Sequence, residues 1–259
     1  MKPYYADDTI RLYHGDMREI LPALNLTADC IVTDPPYEVM HRDTGRCAWD
    51  VWPDGWLALA AAAAPSMWCF GTFRVFMRRH SEIEAAGWRL SQDVVWSKEY
   101  GTGVAADRFR PSHELVTHWY QGQWRDIHCQ TPRLPSTVAR VEHAVHHRPP
   151  ASGRGFTYTH RPVGAWEDDG LRYALSVLKA APVRGGHPTE KPVAVLDLLI
   201  RYACPDGGLV LDPFAGSGST GEAARLTGRR AVLIEGDERY CESIARRLAQ
   251  AVLPLGVTA

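Results

Sequence analysis

Residues 209–226 read as an apolar strand, a glycine-rich turn and the opening of a helix. The run is Leu209-Val210-Leu211-Asp212-Pro213-Phe214-Ala215-Gly216-Ser217-Gly218-Ser219-Thr220, followed by Gly221-Glu222-Ala223-Ala224-Arg225-Leu226. A strand that passes through glycines straight into a helix is the βα turn on which nucleotide-like cofactors rest in doubly wound sheets. No Lys follows Gly218 before the hydroxyl residues, so this is not a phosphate-gripping P-loop. The full G-x-G-x-x-G spacing is also absent, because Gly216-Ser217-Gly218 is followed by Ser219-Thr220-Gly221. A second strand, residues 230–234, leads to Glu235. An acid there, about 20 residues past the turn, either accepts hydrogen bonds from ribose hydroxyls or merely caps an exposed strand end.

The rest of the chain alternates strand-like and helix-like segments, which predicts an α/β domain with a mostly parallel sheet. Strands are expected over residues 29–33, 67–70, 88–97 and 115–120. Helices are expected over 55–64, 73–86, 190–202 and 238–251. At 259 residues, a single domain with an insertion is the natural expectation.

The apolar stretch Asp29-Cys30-Ile31-Val32-Thr33 closes on Asp34-Pro35-Pro36-Tyr37. Two prolines fix φ near −65° and remove two N–H donors, so the backbone there offers carbonyl acceptors. An ionised carboxylate only accepts, and the tyrosine supplies a face for stacking. Acceptors beside a stacking ring suit the NH₂ of a nucleobase. The plainer alternative is a strand followed by a proline turn.

Together, Asp34-Pro35-Pro36-Tyr37 and Asp212-Pro213-Phe214-Ala215-Gly216-Ser217-Gly218 resemble the DNA amino-methyltransferases that use S-adenosylmethionine. The catalytic tetrapeptide comes early and the cofactor loop late, the permuted order of the β-class. Tyr13-His14-Gly15-Asp16 looks like that family's Gly-Asp element. His187-Pro188-Thr189-Glu190-Lys191-Pro192 looks like the segment leading into the cofactor loop, and Arg108-Phe109-Arg110-Pro111-Ser112-His113-Glu114 like the element lining the target-base pocket.

The resemblance implies a Rossmann-like methyltransferase fold, S-adenosylmethionine as cofactor, double-stranded DNA as substrate, a homodimer, no metal and a cytoplasmic setting. It implies that Asp34 and the Pro35 carbonyl accept the two amino hydrogens, Pro36 holds that carbonyl and Tyr37 stacks on the base. It further implies that Asp16 meets the cofactor's adenine, Glu235 its ribose, Asp212 its ammonium, and Thr189 and Lys191 its carboxylate. Phe214, Gly216, Ser217 and Gly218 form the loop beneath it, the glycines allowing close approach. An acid at position 34 favours adenine over the 4-amino group of cytosine, a choice these motifs leave open.

The formal net charge is −1, so no global positive field marks a purely electrostatic nucleic-acid binder. The charge is local instead. Residues 121–165 hold Arg125, Arg133, Arg140, Arg148, Arg154 and Arg161 and no Lys, against only Asp126 and Glu142. Arginine matches phosphates and guanine edges, so residues 121–170 are expected to be an inserted target-recognition region, with Arg133, Arg140, Arg148, Arg154 and Arg161 as DNA contacts. A solvated loop is the competing reading. The six cysteines show no C-x-x-C pairing and no zinc-like spacing, and the apolar run at 57–64 is too short to span a bilayer.

Overall fold

The computed structural model describes residues 1–37, 50–98, 100–101, 106–107, 109–135, 169–183 and 189–250. The chain divides into two compact units, one made of Met1–Thr131 with Leu175–Ala259 and a smaller one of Pro132–Ala174. In chain order the described elements begin with β1 (Tyr5–Ala6), β2 (Ile10–His14), α1 (Met17–Leu24) and β3 (Cys30–Thr33). Next come α2 (Trp56–Ala63), β4 (Ser66–Gly71), α3 (Phe73–Ala85), β5 (Arg89–Ser97) and β6 (His113–Tyr120). The smaller unit holds β7 (Arg133–Pro135) and β8 (Leu171–Tyr173), an antiparallel pair. The larger unit resumes with β9 (Val177–Lys179), α4 (Val193–Ala203), β10 (Leu209–Asp212), α5 (Ser219–Leu226), β11 (Arg230–Glu235) and α6 (Glu238–Gln250).

The main sheet has the order β1-β2-β11-β10-β3-β4-β6-β5-β9. Its centre, β2-β11-β10-β3-β4, is parallel throughout. Every residue of β3 and β4 is buried, the pattern of strands covered on both faces. Alternate side chains feed opposite layers. Cys30 and Val32 pack with Leu196, Leu199, Ala223 and Ile244 of α4, α5 and α6. Ile31 packs with Ile20, Trp56, Ala60 and Phe76 of α1, α2 and α3. Trp56, Trp68, Trp88 and Trp119 are at most 1 % exposed; burying such a side chain stabilises the fold by about 1.5–3 kcal/mol or more.

The doubly wound, mostly parallel architecture agrees with the sequence reading. From β3 the chain steps outward to β4, whereas from β10 it steps the other way through β11. The crevice at the β3–β10 boundary is therefore the topological switch point, where such sheets bind ligands.

Two local expectations are corrected. The helix expected from Glu190 begins at Val193, with Pro192 extended at φ −63°, ψ 130° as its N-cap. The residue before a proline is pushed out of the helical region, so Lys191 stays outside the helix. Lys191 itself is buried, 6 % exposed. Short β1, β7, β8 and β9, along with β2 and α1, were not anticipated as regular elements; α1 carries Pro22 inside it, which masks its helical pattern. Among the described residues no helix is long and apolar enough to cross a membrane, and no group of three or more His, Cys, Asp or Glu residues is placed to hold a metal ion.

Candidate active site

The C-terminal ends of β2, β3, β10 and β11 open into one cleft of about 1160 Å³. Asp16, Asp34, Pro35, Pro36, Tyr37, Thr189, Lys191, Asp212, Phe214, Gly216, Ser217 and Glu235 all line it. Thus the sequence-derived catalytic and cofactor residues, drawn from five separate stretches, meet in one place. Gly218 is the exception. Its hydrogen faces the core: a Cβ there would lie 2.8 Å from Ile244 Cγ2, and its φ of +77° is a region that side-chain-bearing residues rarely adopt. Glycine is needed at 218 to seat α6.

Asp34 directly follows β3. Its Oδ2 accepts a hydrogen bond from Lys191 Nζ, and its buried Oδ1 has no hydrogen-bond partner among the described residues. Lys191 also donates to the Thr189 carbonyl at 3.0 Å and lies 3.5 Å from Glu114 Oε2. Glu114 in turn accepts from Lys98 Nζ at 2.5 Å. Two carboxylates and two ammonium groups thus form a neutral chain at the floor of the site. Lys191 Nζ additionally lies 5.3 Å over the Phe70 ring and Lys98 Nζ 4.8 Å over Trp96, both cation–π contacts.

Burial pushes the Asp34 carboxyl above its usual range, opposed by Lys191 and reinforced by Glu114. For Glu114, burial raises but Lys191 and Lys98 outweigh it, and the net shift is downward. Lys191 is shifted up, because Asp34 and Glu114 overcome the burial that would discharge it. Tyr37 is held by its backbone N–H on Asp50 Oδ1 at 2.9 Å. Its phenol is pushed well up by burial and then by Asp34, Glu114 and Asp50, so it stays neutral.

On the other side of the switch point, Glu235 Oε2 accepts from the Gly216 amide at 2.7 Å and Oε1 from the Asp237 amide at 2.9 Å. Gly216 has φ +53°, so the loop turns tightly onto this carboxylate. Asp212 is 3 % exposed, with Oδ1 accepting from Thr33 Oγ1 at 2.8 Å and the Phe214 amide at 3.1 Å. Burial, eased by those bonds, raises its pKa to about 6. Asp16 caps α1 by accepting from the Arg18 amide at 2.8 Å, and its carboxylate is paired with that residue's guanidinium. Ser217 Oγ meets Ser219 Oγ at 2.8 Å. Arg247 of α6 braces the loop, donating to Glu190 at 2.7 Å, Glu222 at 2.6 Å and the Ser217 carbonyl at 3.3 Å.

Sequence reasoning missed Lys98, Asp50 and the Arg247 clamp. Lys98 had a readable signal, a lone cation just past an apolar strand end. The other two depend on which loops the fold brings together. Lys191 lines the cleft, and its ammonium rests on Asp34. Arg133 lies in the smaller unit, bound to Asp169 at 2.6 Å and over the Tyr173 ring at 5.7 Å. Arg140, Arg148, Arg154 and Arg161 lie outside the described residues. The smaller unit starts at 132, eleven residues after the expected insertion boundary of 121.

A family profile described as DNA methylase matches residues 28–246. The chain is 27% identical to the type II methyltransferase M.ScaI of Streptomyces caespitosus, over 95% of this chain and 84% of that protein. It is 30% identical to YubD of Escherichia coli (strain K12), named as a candidate methylase, over 92% of this chain and 90% of that one. Among solved structures, the M1.HpyAVI complex with SAM superposes with a TM-score of 0.62 at 23% identity, covering 92% and 99% of the two chains. The PvuII DNA methyltransferase, titled cytosine-N4-specific, also gives 0.62, at 17% identity over 99% and 91%.

Proposed function

The chain belongs to the DNA methylase family, and from that premise we propose that it transfers a methyl group from S-adenosylmethionine to the 6-amino group of an adenine turned out of duplex DNA. The observation that carries this reading is the unpartnered, buried Oδ1 of Asp34. A buried acceptor without a donor is costly, and an exocyclic amine is the donor that matches it. The cleft also suits the cofactor. Its acidic lining of Asp16, Asp212 and Glu235 complements a cationic ligand rich in N–H and O–H donors, and about 1160 Å³ accommodates a cofactor and a base together.

S-adenosylmethionine supplies, when bound, an electrophilic methyl group on a sulfonium. The protein's part begins with the base, whose extrusion costs a few kcal/mol, partly returned by stacking on Tyr37. Asp34 Oδ1 accepts one amino hydrogen and the Pro35 carbonyl the other, drawing the nitrogen toward a pyramidal geometry with its lone pair facing the methyl. Lys191 on Oδ2 opposes the burial that favours the protonated carboxyl. Displacement then needs positioning rather than a covalent enzyme intermediate. The methylated nitrogen is cationic and releases its extra proton to the Asp34 carboxylate, from which it passes to solvent. Asp212, Glu235, Asp16 and Thr189 are read as the cofactor's holders, on the family resemblance. The inserted arginines are read as DNA contacts, and a homodimer as the active form, because a recognition element this short covers few base pairs.

The test is single-molecule sequencing of modified bases in a methylation-free host expressing the chain. N6-methyladenine at one defined site is expected. N4-methylcytosine would overturn the choice of base, and the absence of any new modification would overturn the reading itself.

A further inference from the structure

Single exposed hydrophobic residues are ordinary on protein surfaces, but Phe109 is an extreme case. It is 98 % exposed, the most exposed large apolar side chain among the described residues. It lies on the connection between β5 and β6. Because β4 runs parallel to β3, β6 antiparallel to β4 and β5 antiparallel to β6, that connection leaves the sheet at the same edge as Asp34.

The connection is tied to the site at its stem. The Lys98 amide donates to the Ser112 carbonyl at 2.8 Å, and Lys98 Nζ meets Glu114 at 2.5 Å. Glu114 then reaches Lys191, which holds Asp34. Nearer the tip the two arms touch: a Cβ on Gly101 would lie 2.6 Å from the Arg110 Cβ. Gly101 is thus the residue that lets the arms close. The described residues of the connection are braced at these two levels and carry an exposed aromatic ring beside an exposed cation, Arg110. Five residues separate Phe109 from Glu114, a reach of at most about 17 Å.

We propose that Phe109 is a wedge that enters the base stack of duplex DNA at the gap left by the extruded nucleotide, with Arg110 on the adjacent phosphate. Apolar rings inserted between base steps hold them apart and stack on the exposed base faces. The contacts at Gly101 and Lys98 tie Arg110 and Ser112, the described residues that follow Phe109, to the opposite arm. The inference rests on the proposed reading of the site as a DNA base methylase, and it assigns a role in opening the duplex rather than in holding the base.

The experiment compares the full chain with Phe109→Ala and Phe109→Trp, at the site identified by sequencing. Tritiated methyl transfer is measured on a fully paired duplex and on one with the target base opposite an abasic position, which is already open. Phe109→Ala is expected to lose at least about tenfold in kcat/KM on the paired duplex and less than about threefold on the opened one. Phe109→Trp is expected to stay within about threefold on both. Equal losses of Phe109→Ala on the two substrates, or no loss on the paired one, overturn the wedge while leaving the methylase reading intact. An unaltered protein inactive on all DNA overturns both.

Discussion

Lys191 closes its ammonium onto Oδ2 of Asp34, while Oδ1 of the same carboxylate, buried in the cleft, is left without a hydrogen-bond partner among the described residues. One oxygen is occupied by the protein and the other is presented to the cleft. The family resemblance assigned Lys191 to the cofactor's carboxylate; the geometry gives it a second duty, compensating a buried charge.

Asp34→Asn keeps the shape but replaces one acceptor by a donor. We expect kcat to fall by about 10³ or more, with cofactor affinity in calorimetry unchanged within about threefold. Lys191→Met removes the cation that lowers the Asp34 pKa. Its expected signature is a 10–100-fold smaller kcat together with an acidic limb of the pH–rate profile displaced to higher pH. A uniform loss at all pH values would contradict the compensating role.

Gly218 offers a test of packing rather than binding. A methyl group there meets Ile244 at 2.8 Å on a backbone at φ +77°. Gly218→Ala should cost about 1–3 kcal/mol, a melting-temperature drop of several degrees for a chain of this size. Combining it with Ile244→Val should recover part of that loss, and cofactor affinity measured well below the transition should hardly change.

Asp212 titrates near pH 6 because burial disfavours its charge. Cationic cofactor is bound best by the ionised form, so affinity should weaken by up to about tenfold per pH unit below 6. Asp212→Asn should bind weakly at neutral pH and lose this dependence. Calorimetry between pH 5 and 8 reads both.

His118 is fully buried against Trp68 and Tyr202, with Ser91 Oγ 2.7 Å from Nδ1, and burial lowers its pKa to about 4. Its folded value lies below the unfolded value of about 6.5. Stability from this residue is therefore complete above pH 6.5 and declines by up to about 3 kcal/mol as pH falls to 4. Asp212 works in the opposite sense, since its raised pKa lets the fold gain as pH falls below 6. Denaturant unfolding from pH 4 to 7 should show the two largely offsetting in the unaltered protein. His118→Gln should then grow relatively more stable toward acid, and Asp212→Asn relatively less.

What the sequence disclosed was local. Asp34 and Gly216 each sit in a run of a few residues whose chemistry is readable without knowing the neighbours, and Glu235 follows from strand spacing. The alternation of strands and helices likewise reports its period directly. Asp50 and Arg247 were invisible because their roles exist only once the segment before α2 is folded against Tyr37 and α6 against the Ser217 loop. The contact of Gly218 with Ile244 was hidden for the same reason: a glycine says that something comes close, not what. The start of α4 was legible and misread, since a residue preceding Pro192 seldom continues a helix.

The order in which strands are joined has a temporal consequence. Ile10 of β2 pairs with Ala231 of β11, and Cys30 of β3 with Val210 of β10. During translation the first strands emerge without the neighbours that will flank them, and at ~5–20 residues per second they wait on the order of 10–40 s for those neighbours to be made. For most of that interval Asp34 has been synthesised but has neither its partner Lys191 nor a second wall to its cleft. Catalytic competence therefore arrives late, once β10, β11 and the turn between them have been made and can close the cleft against β2 and β3.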